Sequence, residues 1–470
     1  MRTTRPLAEP ERNSGEPVTT DPLEGLRSAA HGAIDGERIV EAVRLLAAGP
    51  SARGAERAAA DRLAEWARTR WPQISWRRDA IGAAGANLVA TSAQGDADRP
   101  RDVPGGRALR VRELLLYSHL DTSLPGDPER DRWTTGVGTA PAPLTVDRES
   151  GTLAGFGLGV ARAPAAAVLA GYAAAVTALR NAGVPHRLTL LLAGGGTHAS
   201  PFAATPESAA PVGVEEYLRS GPRPDAAVVA KCGPPGILYE EPGAAFVRVR
   251  LGTGYRPVLA RDAAPPAGGL IAHLGEVIGV LERWRERHVA ARAGVGGQIA
   301  AEAGIGAVRG GLAAKPDLLP GVVELHLYLV TVPGDDVARI AADIRAALET
   351  GLRGGPLEGC ALSVAARTAH PSGATPPDAP VVRHAAAAWT REHGAAPPPI
   401  SGWKGSTDGV VLRGHGVPTA RVGPAVRADP ADPRRDVIEL DTLLRFARIY
   451  SEIVVRHVVY GESAIEASQS

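Results

Sequence analysis

Cysteine is nearly absent: Cys232 and Cys360 are the only two in 470 residues. That excludes a disulfide framework and a cysteine-rich zinc site, and it fits a reducing cytoplasm. Lysine is nearly absent too. Lys231, Lys315 and Lys404 are the only three, so the positive charge is almost all arginine. With abundant Ala, Gly and Pro, this bias reads as a GC-rich bacterial genome. The net charge is +1, which leaves no surplus for bulk nucleic-acid or acidic-membrane binding. No uninterrupted apolar run is long enough to span a bilayer. Met1 to about Asp21 is polar and Pro-rich without an apolar core, so a disordered tail over 1–25 is expected rather than a signal peptide. A second tail is expected over 462–470. The chain has no G-x-S-x-G elbow, no Walker loop and no H-E-x-x-H pair.

What is present is ordinary for a soluble globular protein: 44% hydrophobic and 22% charged residues, with enough chain for two or three domains. Ile39, Val40, Val43 and Leu46 share one helical face, and Gly49-Pro50 stops that helix. Another helix follows near Gly54 to Thr69. Three short apolar runs, Glu113–Ser118, Arg187–Ala193 and Asp225–Ala230, read as strands buried on both faces of a mainly parallel sheet. Between the first two, the Ala-rich stretch from Pro164 to Ala182 reads as a helix. Alternating strands and helices predict an α/β fold.

From about Ala245 the order changes. A strand at Phe246–Leu251 is followed by a helical stripe of Leu270, Ile271, Leu274, Val277, Ile278 and Leu281. Strands near Gly296–Arg309 and Val322–Val332, a helix over Asp336–Leu348 and a strand at Ala361–Ala366 complete a β-α-β-β-α-β order, the ferredoxin-like arrangement. Alternation then resumes with a helix from Pro380 to Glu392, a strand from Pro418 to Val422 and a helix from Asp441 to Val458. The expected domains are a first α/β part over 26–244, an insertion over 245–366, and a second α/β part over 367–461.

The segment LLLYSHLDT, Leu114–Thr122, places His119 and Asp121 at a strand's C-terminal end, where ligands of open α/β sheets gather. An imidazole could bind a metal there while the carboxylate orients it. Taken alone, the pair reads as a polar strand end with a capping aspartate. GFGLGVA, Gly155–Ala161, fails as a dinucleotide fingerprint because Val160 takes the third glycine's place. Cys232, just after an apolar run, reads as inert packing rather than as a nucleophile.

In order, LLLYSHLDTSLPGD, GTLAGFGLGVARAPAAAVLA, LTLLLAGGGTHAS, DAAVVAKCGPPG, AAKPDLLPGVVELHLYLVTVPGDD, GSTDGVVLRGHGVPTARVGP and DPRRDVIELDTLLRFARIY resemble the successive motifs of the M20 metallopeptidases. These are aminoacylases, carboxypeptidases, dipeptidases and desuccinylases. The resemblance spans roughly residues 34 to 460. It implies a zinc-exopeptidase-like α/β domain with an inserted ferredoxin-like lid that also dimerises. It further implies a two-zinc site with a bridging aspartate and a glutamate base.

Carried over residue by residue, His119 matches the first zinc histidine and Asp121 its supporting aspartate. The bridging aspartate falls at Val160, the Glu-Glu pair at Gly196 and Thr197, and another carboxylate ligand at Lys231. The last zinc histidine falls at Asp432, and the lid histidine near Arg256. The lid arginine and asparagine fall near Val330 and Asp317. Thr407 and Asp408 of the G-T-D loop are retained, and His198 lies beside the altered loop.

A catalytic zinc wants three protein ligands and an open position. The expected cofactor is therefore none; were zinc to bind, His119 would be its residual ligand. Asp121 and Lys231 are the candidate catalytic residues, with Lys231 expected to ion-pair Asp121 in the metal's place. His198, Thr407, Asp408 and Asp432 are candidate polar cleft residues. Two functions remain open: a divergent amide- or peptide-bond hydrolase for a small amino-acid-like or acylated substrate, or an inactive homologue that binds a small ligand or a protein partner. A homodimer through the inserted domain is expected, with no nucleic-acid or membrane partner and a cytoplasmic location.

Overall fold

The computed structural model describes residues 22–95, 101–102, 108–109 and 111–461. The expected tail over 462–470 and all of the N-terminal one up to residue 21 lie outside them. Residues 22–25 belong to a helix, Pro22–Gly32.

The main sheet has six strands in the order Ser75–Ile81, Gly85–Gln94, His186–Ala193, Glu113–His119, Ala226–Ala230 and Thr419–Val422. The last four run parallel, and the first two form an antiparallel edge hairpin. The parallel strands are apolar on both sides because helices cover both faces. In the Glu113–His119 strand, period-2 alternation sends Leu114 and Leu116 to one core and Leu115 and Tyr117 to the other. The first core is the larger one. It is walled by the Gly36–Ala47, Ala163–Asn181, Pro380–His393 and Leu440–Tyr460 helices. The stretch Leu158–Asn181 is apolar and long enough to cross a membrane, yet 94% of its most apolar window is buried inside the protein.

A second, wholly antiparallel sheet has the order Glu302–Gly310, Val322–Thr331, Gly243–Gly252 and Ala361–His370. Helices Leu274–Ala290 and Val337–Gly351 pack on it over a core of their own, around Trp284, Leu325, Leu329 and Ile344. The chain order through this unit is β-α-β-β-α-β. Two local expectations differ. The helical stripe from Leu270 is broken at His273 into Gly269–Ala272 and Leu274–Ala290. The strand expected from Gly296 starts only at Glu302, because residues 296–301 turn across the Trp403 loop, with Ala300 N donating to Trp403 O at 2.9 Å.

A third sheet was not expected. Strands Thr145–Asp147, Thr152–Phe156, Arg427–Asp429 and Asp432–Glu439 pair beside the first core.

Candidate active cleft

The Glu113–His119 strand delivers His119 and then Asp121 to the parallel sheet's C-terminal edge. Both are fully buried. The His119 Nδ1 lies 3.1 Å from Asp121 Oδ1 and 3.0 Å from the Asp121 carbonyl. Both neighbours are acceptors, which assigns the proton to Nδ1 and leaves Nε2 as a lone-pair atom. That Nε2 is buried and has no hydrogen-bond partner among the described residues. Burial lowers the His119 pKa, and the charge of Lys231 adds to the effect, so the ring is neutral at pH 7.

Asp121 is saturated. Its Oδ1 accepts Gly196 N at 2.8 Å, and its Oδ2 accepts Thr197 N at 2.7 Å and the Thr197 hydroxyl. Burial alone would raise its pKa. The His119 imidazole and the Thr197 donors together outweigh that and hold the carboxyl well below the usual carboxylate range.

The same loop is pinned along its length. Asn87 Oδ1 accepts Gly194 N at 3.1 Å, and Glu56 Oε1 accepts Gly195 N at 2.9 Å. With the two Asp121 bonds, four consecutive amides are held by side chains. The glycines are sterically required: a Cβ on Gly196 would lie 2.5 Å from His119 Cβ, and one on Gly195 would lie 2.2 Å from the Pro211 carbonyl. Glu56, not foreseen from the sequence, is raised to about 7 by burial, with Asp121 adding to the rise.

Opposite this loop, Asp408 accepts a hydrogen bond from the Tyr117 hydroxyl. Burial pushes Asp408 up to about 7; the Tyr117 bond and the charge of Lys231 act against it. Lys231 follows the Ala226–Ala230 strand. Its pKa is lowered first by burial and then by Arg421, while Asp408, Asp121 and Glu241 raise it, in that order. The expected Lys231–Asp121 ion pair does not form among the described residues. Asp121's carboxylate is already engaged by His119 and the loop donors, and Asp408 is the carboxylate that Lys231 feels most.

Thr407 donates to Glu241 at 2.5 Å, and Glu241 is buried between Arg413 at 2.5 Å and Arg421 at 3.2 Å. His198 reaches from the loop to the second sheet. Its Nδ1 is 2.9 Å from the Tyr328 hydroxyl, and its Nε2 is 2.7 Å from His370 Nε2. Burial lowers both pKa values, that of His370 to about 4, so two neutral rings share one hydrogen bond in complementary tautomers.

Of the remaining sequence candidates, Asp432 stays apart. It is paired with Arg434 at 2.7 Å in the third sheet and touches none of the cluster among the described residues. Arg256 is held by the carbonyls of Arg261 and Pro266, and Asp317 by Lys315 at 3.1 Å. Burial pushes the Cys232 thiol up to about 12, which removes it as a nucleophile. Tyr117, Tyr328, His370 and Glu56 were missed because their partners are distant in sequence. Tyr117 and Asp408, for example, are 291 positions apart. A groove of about 720 Å³ between residues 331–337 and 371–374 contains none of these side chains.

Few metal donors stand at the positions that the resemblance gives to two zinc ions. Asp121 orients His119 through Nδ1 and leaves its Nε2 lone pair open, so His119 alone keeps the geometry of a metal ligand. Gly196 has no space for any side chain against His119. Val160 and Lys231 offer no anionic ligand. Among the described residues no three His, Cys, Asp or Glu side chains converge as a metal group would require.

No protein-family model and no curated protein sequence matches the chain. Solved structures do. Human carnosine dipeptidase 1 superposes with a TM-score of 0.63 at 14% identity, over 93% of this chain and 99% of that one. An M20 family metallo-carboxypeptidase from Sulfolobus solfataricus gives 0.61 at 13%, over 90% and 99%. A tripeptidase from Staphylococcus aureus gives 0.60 at 16%, over 91% and 100%.

Proposed function

We propose that this chain, which has the M20 peptidase fold, is a hydrolase-like protein whose cleft takes a small amino-acid-like or acylated molecule without a dinuclear zinc centre. The observation that carries this reading is the Lys231–Asp408 region: an amine and a carboxyl, both shifted by burial toward neutral pH, beside the unpaired lone pair of His119. Such a carboxyl is partly ionised at pH 7 and can take a proton from water. An amine of lowered pKa can return one to a leaving group. Asp121 is a positioning residue in this reading. It stays ionised, fixes the His119 tautomer and holds the loop at 194–197, while Asp408 is the carboxyl that exchanges a proton. The likeness to peptidases and amidases of the same fold supports the amide class.

A second reading is favoured by one specific observation. The saturated Asp121 and the loop amides pinned by side chains make a fixed floor, which suits ligand binding without turnover. A screen of N-acyl amino acids and dipeptides, run with and without chelator, separates the two. Turnover that survives chelation and disappears in Lys231→Met and Asp408→Asn supports the hydrolase. Saturable binding without turnover supports the second reading. Turnover that is abolished by chelator and restored by zinc contradicts both.

A further inference from the structure

A different pocket lies beside Phe156 and Arg162, at the start of the long buried helix Ala163–Asn181. It has a volume of about 230 Å³ and is walled by Ala47, Pro50, Ala140, Pro143, Leu144 and Phe156, with the Arg162 side chain as its one charged lining group. Arg162 is only 4% exposed. Its Nη1 donates to the Phe156 carbonyl at 2.7 Å and its Nη2 to the Gly49 carbonyl at 2.8 Å, and both acceptors belong to residues that line the pocket. Its Nε is buried with no hydrogen-bond partner among the described residues.

A guanidinium has five N–H donors, and two carbonyls engage only two of them. No carboxylate pairs with Arg162 among the described residues. The charge nearest in effect is another cation, Arg62, which together with burial lowers the Arg162 pKa to about 10. Arg62 has its own unpartnered buried Nη2, which would stand 3.8 Å from a Cβ placed on Gly49. Two guanidinium groups thus share this corner of the fold without a counter-ion among the described residues. A buried cation left unpaired is costly, and natural sites offset it with a hydrogen-bonded anion.

We infer that this pocket binds a small monocarboxylate with a compact apolar body, its carboxylate on the free N–H groups of Arg162 and its hydrocarbon part against Leu144, Phe156 and the prolines. Only one of the two guanidinium groups, that of Arg162, lines the pocket, and this, with the apolar walls and the limited volume, favours this class over phosphates, which demand more donors. None of the pocket's lining residues belongs to the His119–Asp121 cluster, so the site stands or falls independently of the hydrolase reading.

The test is calorimetric titration of the full chain with 3-methylbutanoate and with its neutral amide. Saturable binding of the carboxylate is expected, with the amide at least about tenfold weaker because it leaves the guanidinium charge unpaired. Arg162→Met should abolish binding. Ala142→Trp, at an exposed position on the pocket rim, keeps the guanidinium and should also abolish it by filling the cavity. The second variant decides the matter if the first fails to fold. Absence of saturable binding to the wild-type chain, equal affinity for the amide, or undiminished binding by a folded variant would overturn the inference.

Discussion

Asp121 and Asp408 face the same cleft, and their surroundings drive them in opposite directions. Asp121 is surrounded by donors, so its folded pKa is depressed. The stability it contributes is complete above the ordinary carboxylate range and is lost as pH falls towards the folded value. Asp121→Asn replaces an acceptor with a group that must turn an N–H toward the loop amides. A loss of about 3 kcal/mol at pH 7 is expected in urea unfolding, shrinking below about pH 4. Asp408 has a raised folded pKa, about 7. Its contribution is complete below the unfolded pKa and is lost as pH rises through 7. Asn mimics the protonated acid and can still accept from Tyr117. Asp408→Asn should therefore match the wild type near pH 4 and exceed its stability at pH 8 by about 2 kcal/mol. Parallel stability curves for the two proteins would contradict the assignment. The H-x-D spacing made the His119–Asp121 contact legible in the sequence. The saturation of Asp121 was not, because its donors are backbone groups of a loop 75 positions away.

At the scale of elements, the parallel strands were legible because burial on both faces leaves continuous apolar runs such as ELLLYS and LTLLLA. The edge hairpin Ser75–Gln94 escaped notice: its first strand, SWRRDAI, buries only alternate or scattered positions. The third sheet escaped for the same reason, its Asp432–Glu439 strand being DPRRDVIE. The Gly-Gly-Gly-Thr loop is packed too closely to accept a Cβ at any of its three glycines. Gly196→Ala must displace either His119 or the loop, so a loss of about 1–3 kcal/mol is predicted by chemical denaturation. Gly275→Ala, on an open helical surface with nothing within 4 Å of a new Cβ, is the control and should not destabilise. Equal effects at the two glycines would refute the packing argument.

At the scale of the molecule, the two sheets meet through His198, which links the loop at 194–197 to Tyr328 and His370 of the second sheet. The unit built on that second sheet also presents an exposed edge strand, Glu302–Gly310, and exposed apolar side chains at Val308 on that strand and Ile271 on the helix Gly269–Ala272. An open edge is a template for pairing. We therefore propose a homodimer through this unit. Light scattering at micromolar concentration should give twice the chain mass, and a monomer would refute the proposal. We propose that Lys231 and Asp408 serve this cleft without a pair of metal ions, and the metal content of the protein decides it. Elemental analysis of the purified chain, loaded with excess zinc and then dialysed, should find no stoichiometric zinc. About two zinc ions retained per chain would contradict the account.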